Sequence, residues 1–351
     1  NNTKMLEEIR EVTALEACIE KNKDVIPAIA KEIKEFNPKN FMIVARGTST
    51  HGGIFGKFFL ELHTKIPVEM ADASIFTVYD SNMDLSNTCV IAISQSGKGY
   101  DVSTVLKKAK ESGAYTFAIT NNPNSLVAEA TDKHIYNEIG ETKAGAATKG
   151  YTTTLYILTK LALCLSGEED SFDDDKYIEA VKKGLDLYED VKPMAKELIP
   201  MDMAFSIARG YSYSIAKEFA LKVMETCLVP VIPYKASEFC HGPLASTSEK
   251  HPVVLFAVDD KTNEDIKRVV TYLKDTKAKT YVVTNDKEIA NLADMTIMID
   301  ETESIYAFYQ AAIVMQLLSC EMAFTKGTYQ DHVPVLSLSL IHISEPTRLR
   351  C

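Results

Sequence analysis

No apolar run in this chain approaches the roughly 20 residues needed to cross a bilayer; the longest, such as Ala311–Leu318, fall well short. No basic segment followed by an apolar one opens the sequence, so no export signal is visible, and the chain begins without Met. Seven cysteines (Cys18, Cys89, Cys164, Cys227, Cys240, Cys320, Cys351) are scattered with no C-x-x-C pair. Most sit in apolar surroundings, as reduced core thiols do, which favours the cytoplasm. A formal charge of −11 argues against nucleic acid as partner, because neutralising phosphates takes clustered Lys and Arg. Two phosphate-loop patterns are also missing. A Walker loop around Lys98 needs Gly at Ala92 and a hydroxyl at Gly99, and Gly47 to Gly52 has the wrong spacing for G-x-G-x-x-G. Neither a nucleoside triphosphate nor a dinucleotide is supported.

What is present is an ordinary globular composition, 46% hydrophobic and 25% charged, in 351 residues, long enough to predict two domains. The two halves resemble each other. F-M-I-V-A-R-G-T-S from Phe41 parallels M-A-F-S-I-A-R-G-Y-S from Met203; aligning Gly47 with Gly210 sets an offset of 163, which also places Val90-Ile91 on Val253-Val254. Such shared order and spacing indicate a tandem repeat.

In the first half, apolar runs predict strands at about 41–45, 88–94, 114–120 and 133–137. Val102, Val105, Leu106 and Ala109 recur at helical spacing between the second and third, and Gly113 ends that helix. Alternating strands and helices predict an α/β fold with parallel sheets and helices on both faces, an αβα three-layer sandwich in each half. The acidic stretch Gly167–Asp175 marks a solvated junction, followed by a helical segment over about 176–198. The expected organisation is a helical segment over 1–35, domains over 36–167 and 199–337, and the junction over 168–198 between them.

Ligands of open α/β sheets bind outside the carboxyl ends of the strands, where helix N-termini offer unpaired N–H groups. Ser94, Gln95 and Ser96 follow one strand, and Thr48-Ser49 form the equivalent turn after its neighbour. Short hydroxyls at positive helix ends suit a phosphate; the alternative is a plain Ser/Asn helix cap. In the second half the matching positions are Ala257, Val258, Asp259 and Asp260, whose carboxylates would repel phosphate, so one phosphate site per chain is expected. That half has different candidates. Lys222 and Glu225 lie three apart on a predicted helix, either as a solvated ion pair or as a functional carboxylate beside the apolar run Cys227–Ile232. His241 follows Glu238 and precedes Gly242-Pro243 on a tight turn, so it is either structural or functional.

Taken together, A-R-G-T-S (45–49), I-S-Q-S-G (93–97), E-T-K-A-G-A-A-T-K (141–149), A-L-K-V-M-E (220–225) and E-F-C-H-G-P-L-A (238–245) resemble the tandem sugar isomerase (SIS) domain family, over roughly 5–337. Members include the isomerase half of glucosamine-6-phosphate synthase, fructoselysine-6-phosphate deglycase-like enzymes and SIS-type glucosamine-6-phosphate deaminases. The resemblance implies flavodoxin-like domains. It implies that Thr48, Ser49, Ser94, Gln95 and Ser96, with the Gly99 backbone, hold a sugar phosphate. Gly145, Ala146, Ala147 and Lys149, with Glu238, would line the sugar. Lys222 would contact it, Glu225 would move a proton between C1 and C2, and His241 would assist ring opening. It further implies a homodimer in which His241 completes the partner's site.

Departures from the family pattern are Gly99 in place of a hydroxyl and Ala147 in place of the synthase's Ser. No glutaminase domain is seen and Lys98 replaces an acidic residue, so a deaminase or plain isomerase is the closer match. Relatives end in a D-x-P-x-x-L-x-K-like pattern. Asp331 and Leu336 fit it, Pro334 is one place late, and Leu338 stands where the lysine belongs. Leu338–Arg348 resembles translated transposon-type sequencing adapter, so 338–351 is expected to be a non-native read-through tail. The leading expectation is an aminosugar-6-phosphate deaminase or isomerase, converting glucosamine 6-phosphate to fructose 6-phosphate and ammonia. It needs no metal or other cofactor, because the transferred species is a proton. The alternatives are a fructosamine-6-phosphate deglycase and a non-catalytic sugar-phosphate sensor. No nucleic acid or membrane partner is expected.

Overall fold

The computed structural model describes residues 2–329 and Asp331. Pro334, Leu336, Leu338 and the 338–351 tail lie outside the described residues, as does Cys351. The chain forms two compact units. One is built from Thr13–Glu141 and Thr153–Phe172; the other from the residues up to Val12, Thr142–Thr152 and Asp173–Asp331.

The first unit holds five parallel strands: β1 (Asn40–Ala45), β2 (Val68–Met70), β3 (Thr88–Ile93), β4 (Tyr115–Thr120) and β5 (Lys133–Tyr136). They lie in the order β2-β1-β3-β4-β5. Four of these are the predicted runs. β2, three residues long, is too short to carry a periodic signal. Every residue of β3 is buried, so both sheet faces are covered, as parallel sheets require. The helix Tyr100–Glu111 turns Val102, Val105, Leu106 and Ala109 onto Met42, Val44, Val90 and Ala92, in one core cluster. Each Val, Leu or Met side chain among them contributes about 1.5–3 kcal/mol on burial. Gly113, at φ 85°, stops the helix where the spacing predicted.

The second unit repeats the plan with β6 (Ala204–Ala208), β7 (Val231–Lys235), β8 (Val253–Ala257), β9 (Thr280–Thr284) and β10 (Met295–Met298), in the order β7-β6-β8-β9-β10. The repeat extends to register. Met42 pairs with Val90 in one sheet, and Phe205 with Val253, each 163 residues later, in the other. It extends to side chains as well: Thr116 Oγ1 donates to Asp132 Oδ2 at 2.9 Å, and Thr280 Oγ1 donates to Asp294 Oδ2 at 2.9 Å.

The segment predicted as one helix over 176–198 is two, Asp174–Asp186 and Tyr188–Leu198, broken at Leu187 (φ −77°, ψ 8°). The acidic junction has a local use. Asp173 caps the first of these helices, accepting from the Asp175 and Lys176 amides, and Asp174 and Asp175 face the positive helix end. The helix Ser304–Lys326 contains Ala311–Leu318. It is long and apolar enough to cross a membrane, yet 94% of its apolar 18-residue segment is buried, which marks it as the core helix of this unit. Of the described cysteines, Cys240 is exposed and the other five are buried, and none forms a disulfide with another described residue. Burial pushes the Cys18 thiol up to about 12, as expected of an inert core thiol.

Candidate active site

The hydroxyl-rich turns lie in the first unit. β1 and β3 pair in parallel, with Ala45 opposite Ile93, and the strand order reverses between them. That is the switch point of a flavodoxin-like sheet, where ligands bind at the carboxyl ends. β1 runs into the helix Thr48–Thr64 through Gly47, whose φ of 56° and ψ of −132° few side chains tolerate. β3 runs into the helix Tyr100–Glu111 through Ser94–Gly99. Two helix N-termini thus open beside each other on adjacent strands.

The Ser94–Gly97 turn is fixed by backbone bonds. The Gly97 amide donates to Ser94 O at 3.0 Å, Asn121 N to Gln95 O at 2.9 Å, and Val127 N to Gly97 O at 3.0 Å. Gly97 sits at φ 67°, and a Cβ there would lie 2.0 Å from Ser125 Oγ, so the glycine of S-Q-S-G is a steric requirement. Of the cradle residues, Ser96 is exposed, and Thr48, Ser49, Ser94 and Gln95 are half-buried. Gly99 is buried and caps the second helix; a Cβ there would press on Val102 Cγ2 at 3.3 Å, so this position offers backbone only.

Arg46, which sequence reasoning did not assign, pairs with Asp101 at 2.9 Å beside these turns. The second unit repeats the pair as Arg209 with Asp265 at 2.6 Å, although its turn carries carboxylates instead of hydroxyls. The ion pair therefore belongs to the fold of the repeat, tying the first turn to the second helix. A cavity of about 960 Å³ in the first unit is lined by Arg46, Phe76, Tyr100 and Asp101 among others, but by none of the five cradle side chains.

In the second unit, the helix Tyr213–Cys227 carries the acid–base candidates. Lys222 is fully buried, its Nζ 2.6 Å from Glu225 Oε2 and 3.4 Å from Glu218 Oε1. The solvated-pair alternative is therefore excluded for the lysine. Burial alone would drive its ammonium toward neutrality, but Glu218 and Glu225 outweigh that and hold its pKa above the usual lysine value. Glu218 is fully buried, whereas the Glu225 side chain keeps 21% of its surface accessible. Glu225 is the member of the triad that a substrate can reach. Glu218 was missed; its signal was the i, i+4 spacing to Lys222, but charge patterning does not report burial.

His241 ends the short helix Ala236–Cys240 and is exposed, as is Glu238, whose carbonyl accepts the His241 amide at 3.1 Å. No hydrogen bond or ion pair among the described residues joins the His241 side chain to Lys222 or Glu225. In the 141–149 loop Gly145 is exposed and Ala147 half-buried, while Ala146 and Lys149 are buried. The Lys149 ammonium lies 2.8 Å from Glu11 Oε2. At the turn equivalent to the cradle, Asp259 is buried and its Oδ1 accepts the Lys261 amide at 3.2 Å. No cluster of three or more metal-ligating side chains occurs among the described residues.

Comparison with known proteins agrees with the duplicated fold. The SIS domain profile matches residues 36–164 and again 197–326. A glutamine–fructose-6-phosphate aminotransferase (isomerizing) from Bacteroides thetaiotaomicron is 33% identical over 336 residues, covering 92% of this chain and 54% of the relative. This chain thus spans about half the length of the curated relatives it matches. The solved C-terminal domain of glucosamine-fructose-6-phosphate aminotransferase from Francisella tularensis superposes with a TM-score of 0.84 at 27% identity, covering 95% of this chain and 98% of that one. A glucosamine-6-phosphate deaminase from Thermotoga maritima, at 18% identity and a TM-score of 0.75 over 95% of this chain and 98% of that one, shares the fold. With two profile matches that span most of its length, the chain belongs to the SIS domain family.

Proposed function

We propose that this chain is a phosphosugar enzyme that moves a proton between C1 and C2 of an aminosugar 6-phosphate. The observation that carries the reading is Lys222, fully buried and 2.6 Å from the partly accessible Glu225 carboxylate. A carboxylate anchored by a buried cation yet open on one side suits a general base. In this reading the hydroxyl-rich turns receive the phosphate. Glu225 takes the proton from one carbon and returns it to its neighbour, and exposed His241 assists ring opening in a dimer. In its deaminase form, water then adds at the C2 imine, and ammonia and fructose 6-phosphate leave.

A second reading is favoured by the names of the curated relatives, glutamine–fructose-6-phosphate aminotransferase (isomerizing). There the same proton transfer serves isomerisation, without hydrolysis at C2. Incubation with glucosamine 6-phosphate deuterated at C2 separates the two, with a Leu338→Lys variant alongside. Ammonia and fructose 6-phosphate released together support the deaminase. Loss of deuterium without ammonia supports the isomerase. Tight binding without either would leave the sugar-phosphate sensor and sink the enzyme reading.

A further inference from the structure

The helix Lys4–Ile9 carries a carboxylate that the proposed mechanism does not use. Glu8 is 6% exposed, and no cation pairs with it among the described residues. Its oxygens are instead turned onto the 141–149 loop. Oε1 accepts the amides of Lys143 and Ala144, the latter at 2.9 Å, and Oε2 accepts the Thr148 hydroxyl at 3.4 Å. One buried carboxylate thus holds both feet of a three-residue arch, Gly145–Ala147, in a segment that belongs to neither helix nor strand.

Glu8 itself is firmly held. Met5, Leu6 and Ile9 are buried, Thr3 caps the helix, and the Met5 amide donates to Tyr329 Oη at 3.1 Å. Lys4 pairs with Asp331 at 3.1 Å. On the far foot, Gln316 Nε2 donates to Thr148 O at 3.3 Å and to Thr152 Oγ1 at 3.1 Å. A buried anion stabilised by two amides and a hydroxyl, with no cation, needs those donors kept in place, so the loop and Glu8 order each other.

We propose that Glu8 is a positioning residue for substrate: it shapes the Gly145–Ala147 arch so that the loop meets the sugar already ordered. This rests on the phosphosugar reading above, in which that arch lines the sugar. The test is Glu8→Met in the full chain. Methionine has nearly the same length and volume but offers the Lys143 and Ala144 amides no oxygen acceptor. Hydrogen exchange followed by NMR is expected to show Lys143 and Ala144 amides losing protection while the strand amides keep theirs. Calorimetric affinity for glucosamine 6-phosphate is expected to fall roughly tenfold, with affinity for inorganic phosphate unchanged. Glu8→Asp is expected to recover part of the loss.

A merely structural role predicts a lower melting temperature and uniformly weaker binding of both ligands, and that result would overturn the proposal. So would unchanged loop exchange or unchanged sugar affinity in the variant. If the unmodified chain binds no glucosamine 6-phosphate, the phosphosugar reading fails, and the positioning role with it. Exchange alone then decides whether the tether exists.

Discussion

At the scale of single residues, the Glu218–Lys222–Glu225 triad sets the limits. Glu225→Gln keeps the shape and loses the base. Its expected effect is a fall in turnover of about 10²–10⁴ with ligand affinity near that of the parent, measured by initial rates and calorimetry. Retained turnover would reject the assignment. Lys222→Met is a different experiment, because it strips the cation from the fully buried Glu218. Breaking a buried pair on one side costs about 3–5 kcal/mol, so urea unfolding should show a large loss of stability, and adding Glu218→Gln should recover part of it. The lysine pKa is raised in the fold, so its contribution is fully present below the ordinary lysine range and is lost only as pH rises past it. The gap between parent and Lys222→Met should therefore hold at neutral pH and narrow only on the alkaline side.

At the scale of elements, the turn after β3 depends on backbone shape. Gly97→Ala would set a methyl 2.0 Å from Ser125 Oγ at a positive φ. It should lower the melting temperature and abolish phosphate protection, whereas Ser96→Ala should weaken phosphate binding about tenfold and leave melting unchanged. The contrast is checked by thermal shift with and without phosphate. Equal effects of the two changes would mean that the turn is only a helix cap. The same distinction explains what was legible beforehand. β1, β3 and β4 were readable because buried parallel strands are continuous apolar runs, and Ser94–Ser96 because short hydroxyls at a strand end are rare in a core; β5, at the sheet edge, buries only Ile135. β2 was too short to read. The break at Leu187 falls at neither Gly184 nor Pro193, which both lie inside the flanking helices, so the usual breakers did not mark it. Glu8 and Glu218 look like surface charges in sequence, and only the tertiary fold buries them.

At the scale of the whole molecule, the duplication preserved the scaffold and changed its turns. Strand order, register, the Thr–Asp bond and the Arg–Asp pair recur in both repeats. Ser96 does not: 163 positions later stands Asp259, buried where its counterpart is exposed. Burial pushes the Asp259 carboxyl above the usual aspartate range, against the pull of the Lys261 amide. A carboxyl with a raised folded pKa stabilises least when ionised. Its penalty is absent in acid, where folded and unfolded chains are both protonated, sets in as pH rises past the unfolded value and is complete above the folded one. If Asp259 is a relic of a cradle with no ligand to neutralise it, Asp259→Asn should be free of that penalty, since the amide oxygen still accepts from Lys261. Melting curves should then show the variant more stable than the parent at pH 7, with the gain gone near about pH 3. A variant less stable at pH 7 would mean that the charge is used, and that the second turn has acquired a role of its own.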